Sequence, residues 1–203
     1  LIHFVLLGFL PLSRSRHSNN PSLAAGCGQL FLTTRDAYRR AGGHYAIKSS
    51  LHDGLMLPRL FRRAGLHTDI FDASDIASCR MYNTNQDVLQ GLMKNATEGI
   101  GSPKTILPFT LLLGGGQIVP TMLLLSYWAS TGQSGMTSLV IISCFILSYC
   151  PRFLILPRFR QSVASALFHP LAVGVFLGIQ WIALGRRALG LKASWKGRAL
   201  RPQ

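Results

Sequence analysis

Hydrophobic and polar positions change character along the chain near residue 104. Before it, short apolar clusters alternate with polar turns; after it come three long apolar runs. Thr105 to Trp128, Thr137 to Leu156 and Val163 to Leu184 carry almost no charge. Each approaches the roughly 20 residues that a bilayer-spanning helix requires. Arg152 lies inside the second run, so that span is expected to end early or to snorkel the side chain outward. Gly114-Gly115-Gly116 and Pro120 are expected to break the first run as a straight helix, a break that neighbouring helices can repair.

The polar half predicts shorter elements. Leu1 to Leu12 is apolar but too short to cross a bilayer, and is expected to be buried or interfacial. Ser13 to Ser22 is a polar loop. Ala24 to Thr33 predicts a buried strand entered by a tight turn. Thr34 caps a short helix over Arg35 to Ala41, which Gly42-Gly43 stops. A second helix starts between Leu51 and Asp53, with an apolar stripe of Leu55, Met56, Leu60, Phe61 and Ala64. Pro58 requires its start to be close by. Thr68 to Phe71 and Ile76 to Tyr82 are predicted strands separated by Asp72 to Asp75, and Asp87 to Ile100 is a further helix. Mixed strands and helices predict an α/β domain over residues 1–104, followed by membrane or re-entrant helices over 105–185 and a basic tail over 186–203.

Charge sharpens this reading. The chain of 203 residues has a formal charge of +14, and no acidic residue follows Glu98. Such an excess suits either nucleic-acid phosphates or cytoplasmic membrane flanks; the adjoining apolar runs favour the membrane, and no nucleic-acid partner is expected. The uncharged loop Ser130 to Gly135 is expected away from the cytoplasm. Arg152, Arg158, Arg160 and the tail with Arg186, Arg187, Lys192, Lys196, Arg198 and Arg201 belong on the cytoplasmic side. Three complete crossings cannot satisfy both, so Thr105 to Trp128 is the expected re-entrant or interfacial run. Cys27, Cys79, Cys144 and Cys150 form no C-x-x-C pair and are read as reduced and structural.

Candidate chemistry concentrates in Gly26-Cys27-Gly28-Gln29, Thr34-Arg35-Asp36-Ala37-Tyr38, Ala41-Gly42-Gly43-His44, His52-Asp53-Gly54 and Leu57-Pro58-Arg59-Leu60-Phe61-Arg62-Arg63-Ala64-Gly65, with Trp195-Lys196-Gly197-Arg198 after the last apolar run. In this order and spacing the chain resembles family 2 glycosyltransferases with a membrane-embedded C-terminal region, of the type that glycosylates hopanoid, carotenoid or polyprenyl-like lipids. The resemblance implies a GT-A-like fold, here its acceptor-side half. It implies inverting transfer of a single sugar from a nucleotide-sugar donor to a lipid hydroxyl at the plasma (inner) membrane, with the catalytic part cytoplasmic.

The resemblance also assigns residues. Asp53 matches the catalytic base, with His52 in place of the usual glutamate on the acceptor side; Gln29 is a further candidate for acceptor contacts. Lys94 stands where the family carries an arginine that steadies the leaving diphosphate, and Asn95 replaces a tryptophan typical of processive members. His44 and Arg80 are further candidates for donor phosphates. The family holds a divalent metal, magnesium or manganese, through an Asp-x-Asp. No two of the seven acidic residues have that spacing, so the metal ligands and the donor-binding half are expected outside this chain. Two other classes remain: a non-catalytic membrane scaffold or subunit, and a transporter. The transporter is disfavoured because no acid lies within the apolar runs.

Overall fold

The computed structural model describes residues 2–50, 52–97, 99–130, 135–191, 194–195 and 198–199. Residues 131–134 of the uncharged loop, Glu98, and Lys192, Lys196, Gly197 and Arg201 of the basic tail lie outside that set. The chain divides into two compact units, at Val88 and Leu89.

The first unit carries α1 (Ile2–Phe9), α2 (Leu12–Arg16), α3 (Arg35–Ala41), α4 (Gly43–Ala46) and α5 (Asp53–Arg63). Helix α3 has the predicted bounds because its signals are local. Thr34 Oγ1 accepts from Ala37 N at 3.3 Å, and Gly42 ends the helix at φ 83°. Helix α5 starts at Asp53 as expected, but Pro58 is its sixth residue, well past the first turn. Ala41, Ile47, Leu57 and Phe61 form the buried core, with Phe31, Tyr38, Met56 and Leu60 packed on it.

The α/β expectation for residues 1–104 is overturned. The unit is helical, and the described residues form no GT-A-like domain. Among the described residues the only sheet is the two-residue antiparallel pairing of β1 (Ser194–Trp195) with β2 (Arg198–Ala199). Each predicted strand fails for an identifiable reason. Around Gln29 the chain makes a tight turn closed by an isolated Cys27–Leu30 bridge, and Leu32 is left 71% exposed. The Thr68 and Ile70 carbonyls are taken by the guanidinium groups of Arg62 and Arg16, at 2.9 and 3.3 Å, so side chains occupy acceptors that a ladder would use. Residues 77–82 run without turn or bend but pair with no neighbouring strand. Only the intervening Asp72 to Asp75 turn is as predicted, with Asp72 Oδ1 accepting from Ser74 N at 2.9 Å.

Arg62 organises the end of this unit. It is 4% exposed, and its guanidinium donates to Ser15 O and Oγ, Asn20 O, and Thr68 Oγ1 and O, at 2.7–3.1 Å. Burial lowers its pKa and the Asp69 carboxylate opposes that shift. Asp69 pairs with Arg16 at 3.1 Å.

Helix α6 (Asn85–Ala96) runs from the first unit into the second. There follow α7 (Ile106–Leu113), a π-helical turn over Gly114–Ile118, α8 (Val119–Ala129), α9 (Met136–Arg158), α10 (Val163–Leu167) and α11 (His169–Ala188). Among the described residues three helical stretches are long and apolar enough to cross a membrane: Ile106–Ala129, Met136–Arg158 and His169–Ala188. Only 11, 17 and 33% of their most apolar windows are buried within the protein, so most of this hydrocarbon surface faces outward. Lipid is the solvent that suits it.

The run expected to break at its glycines is one helical stretch of 24 residues. Pro120 lies inside that stretch, two residues after the π turn over Gly114–Ile118, where the ordinary helical hydrogen-bond pattern is already interrupted. Arg152 adopts neither expected solution. It is 2% exposed within α9, which continues to Arg158. Its guanidinium donates to Gln161 Oε1 and to Ser165 Oγ (3.1 Å) and O (3.4 Å). The third predicted run is two helices, because Ser162 caps α10 and Pro170 opens α11. Trp181 Nε1 donates to Thr110 Oγ1 at 3.0 Å, tying α11 to α7.

Candidate functional site

The head of α5 and the turn Gly26–Gln29 build one junction. It exists because glycine stands on both sides of it. A Cβ on Gly54 would lie 2.9 Å from the Gly26 carbonyl oxygen. A Cβ on Gly28 would lie 2.7 Å from Asp53 Oδ2 and 2.8 Å from Oδ1. The turn backbone therefore lies directly against the Asp53 carboxylate. Pro58 closes the far side, since a Cβ on Gly26 would approach its Cγ at 3.0 Å.

Asp53 is exposed and Oδ1 accepts from Gly54 N at 2.8 Å. His52 precedes it, half-buried, with its backbone N–H donating to Ser50 Oγ at 3.1 Å. Gln29 extends from the turn; its Nε2 lies 2.7 Å from Met81 Sδ, and its Oε1 accepts from the Cys27 thiol. That contact brings the segment carrying Arg80, itself exposed, up to the turn.

Asp53, His52 and Gln29 thus share the junction, with Arg80 on a neighbouring segment. His44 is engaged elsewhere. Tyr38 Oη lies 2.7 Å from His44 Nδ1 and accepts from His44 N at 2.9 Å, so this pair locks the α3–α4 corner. Lys94 lies half-buried in the last turn of α6, in the second unit. Among the described residues no group of three His, Cys, Asp or Glu side chains can hold a metal ion.

The second unit contributes features that sequence reasoning did not single out. An apolar groove of about 350 Å³ lies between α6 and α11, walled by Leu92, Phe168, Leu171, Val175, Phe176 and Ile179. Buried side-chain oxygens of Gln117 and Thr121 lack a hydrogen-bond partner among the described residues, beside the π turn. The groove joins residues about 80 positions apart, so no local pattern announces it. Gln117 is the one amide side chain in its apolar run.

Comparison with protein-family models, with curated proteins and with solved structures gives no match.

Proposed function

We propose that this protein is a membrane-bound glycosyltransferase that passes a single sugar from a nucleotide-sugar to a lipid-type hydroxyl, with Asp53 as general base. The observation that carries the reading is the glycine-lined junction that leaves the Asp53 carboxylate exposed at the head of α5, beside Gln29 and His52. In this reading the acceptor oxygen attacks the anomeric carbon as Asp53 takes its proton, the nucleoside diphosphate departs, and the configuration inverts. Positioned general-base help is worth roughly 10²–10⁴-fold in rate. The outward-facing apolar helices and the groove beside α11 support an apolar acceptor. The three candidate spans, with Arg158 at the end of the second, support a plasma-membrane protein of several passes with its polar unit in the cytoplasm.

A second reading is a non-catalytic membrane subunit. The Asp53 Oδ1 to Gly54 N contact favours it, because a carboxylate that serves only to start a helix makes such bonds. Replacing Asp53→Asn at the native gene separates the two. With the protein still present in membranes at normal level, sugar transfer should fall about 10²–10⁴-fold and one glycolipid should disappear from lipid extracts. An unchanged glycolipid profile overturns the catalytic reading.

A further inference from the structure

The outer side of α3 and α4 collects positive charge that the fold leaves unused. Ala37, Tyr38, Ala41 and Ile47 turn the inner side of this helix pair onto the core of the first unit. Arg35, Arg39, Arg40 and Lys48 are exposed on the other side, and Asp36 is the one acid that precedes Asp53 in the chain. The arginines that shape this unit are engaged, Arg16 with Asp69 and Arg62 with Ser15, Asn20 and Thr68. Arg35, Arg39 and Arg40, by contrast, make no ion pair or side-chain hydrogen bond among the described residues. Arg39 and Arg40 suit the last turn of α3, but Arg35 stands in its first turn, where the helix dipole disfavours a cation. Large apolar groups stand among the charges. Leu32, three residues before Arg35, is 71% exposed, and Tyr45 is 78% exposed with Lys48 Nζ 4.3 Å from its ring centroid.

We propose that this outer side of α3 and α4 docks on an anionic lipid surface, with Arg35, Arg39, Arg40 and Lys48 at the phosphates and Leu32 and Tyr45 entering the headgroup layer. Charge complementarity selects this occupant. Each basic side chain held near an anionic leaflet adds to the attraction, and the sum falls off within a Debye length. A tyrosine ring with a lysine reaching past it suits the boundary between headgroups and hydrocarbon, since each has an apolar body and a polar end. A nucleic acid would engage the same cations but would set Leu32 against phosphate and water. The chain also passes from this unit into three stretches able to cross a bilayer, which keeps a lipid surface within its reach. The proposal rests on the membrane reading of those helices and not on sugar transfer.

The full chain, with its other cysteines replaced by serine, would carry a nitroxide on Leu32→Cys, or on exposed Cys79 as the reference. Each would be placed in lipid nanodiscs of phosphatidylcholine alone and of phosphatidylcholine with phosphatidylserine. The nitroxide ring is itself apolar and stands in for the leucine. Its collisions with a neutral water-soluble nickel chelate should fall about fivefold or more at position 32 when phosphatidylserine is present, and less than about twofold at Cys79. Added salt should weaken that protection. Arg35→Gln, Arg39→Gln and Arg40→Gln made together should abolish it, while Arg35→Lys, Arg39→Lys and Arg40→Lys should keep it, because the surface reads charge. Equal accessibility of position 32 in the two lipid compositions overturns the proposal. So does protection that survives the three Gln substitutions, or protection that single-stranded RNA confers and phosphatidylserine does not.

Discussion

Gly28 and Gly54 show how one missing methyl group places a functional atom. An added Cβ at Gly28 meets the end of a short side chain, the Asp53 carboxylate, which can rotate away. Gly28→Ala is therefore expected to leave stability within about 1 kcal/mol of the parent and to re-aim Asp53, so sugar transfer drops while membrane level is kept. An added Cβ at Gly54 meets the Gly26 backbone carbonyl, which cannot yield without moving the turn. The roughly 1 kcal/mol that alanine gains over glycine in a helix is outweighed by an overpacking cost of about 1–3 kcal/mol. Gly54→Ala should thus lower the denaturation midpoint of the purified chain, and Gly28→Ala should not. Asp69 gives the pH prediction. Burial raises its pKa, but the Ile70 N–H and then Arg16 and His67 outweigh burial and leave it lowered. A carboxylate with a lowered folded pKa contributes stability that is complete above its unfolded value, about 3.9, and is lost as pH falls through the lower folded value. The pair is half-exposed, so the effect is small. Midpoints measured between pH 5 and pH 3 should fall in the parent and fall less in Asp69→Asn.

At the scale of elements, legibility followed the range of the determining interaction. The bounds of α3 were readable because Thr34 and Gly42 act within one turn of the helix they limit. The start of α5 was readable for the same reason, at Asp53. The strands were misread because a strand is defined by a partner, and alternation in one segment does not reveal whether a partner is there. Arg62 illustrates the same limit. In the sequence it suits the positive charge wanted at a helix C-terminus. In the structure it is buried and satisfies carbonyls from α2, from the residue before Pro21 and from the segment after α5. Replacing it strands those acceptors. Arg62→Met should cost about 2–4 kcal/mol, more than one exposed hydrogen bond, because buried groups are left unpaired. The measurement is the denaturation midpoint. The accompanying sign is faster proteolysis within residues 13–22 and 66–71, with the second unit remaining resistant.

The whole molecule combines a small helical unit with a set of apolar helices whose faces turn outward. Cys144 and Cys150 are exposed on α9 in the absence of lipid, as Cys27 and Cys79 are in the first unit. If α9 crosses a bilayer, these thiols meet hydrocarbon, which a water-soluble maleimide does not enter. In opened vesicles of the purified chain, maleimide should label Cys27 and Cys79 at least tenfold faster than Cys144 and Cys150; equal rates would remove α9 from the membrane. The sequence by itself determined the apolar runs, the excess of basic charge, the short capped helix α3 and the residues offered for chemistry, because composition and one-turn signals are carried by neighbouring positions. Only the tertiary structure decided that the first half is helical without the expected sheet, that the Arg152 guanidinium donates to Gln161 and Ser165, and that Gly28 lies against Asp53. These outcomes depend on which distant backbone and side-chain groups reach one another, and hydrogen-bond partners and close approaches between remote segments have no signature in local periodicity.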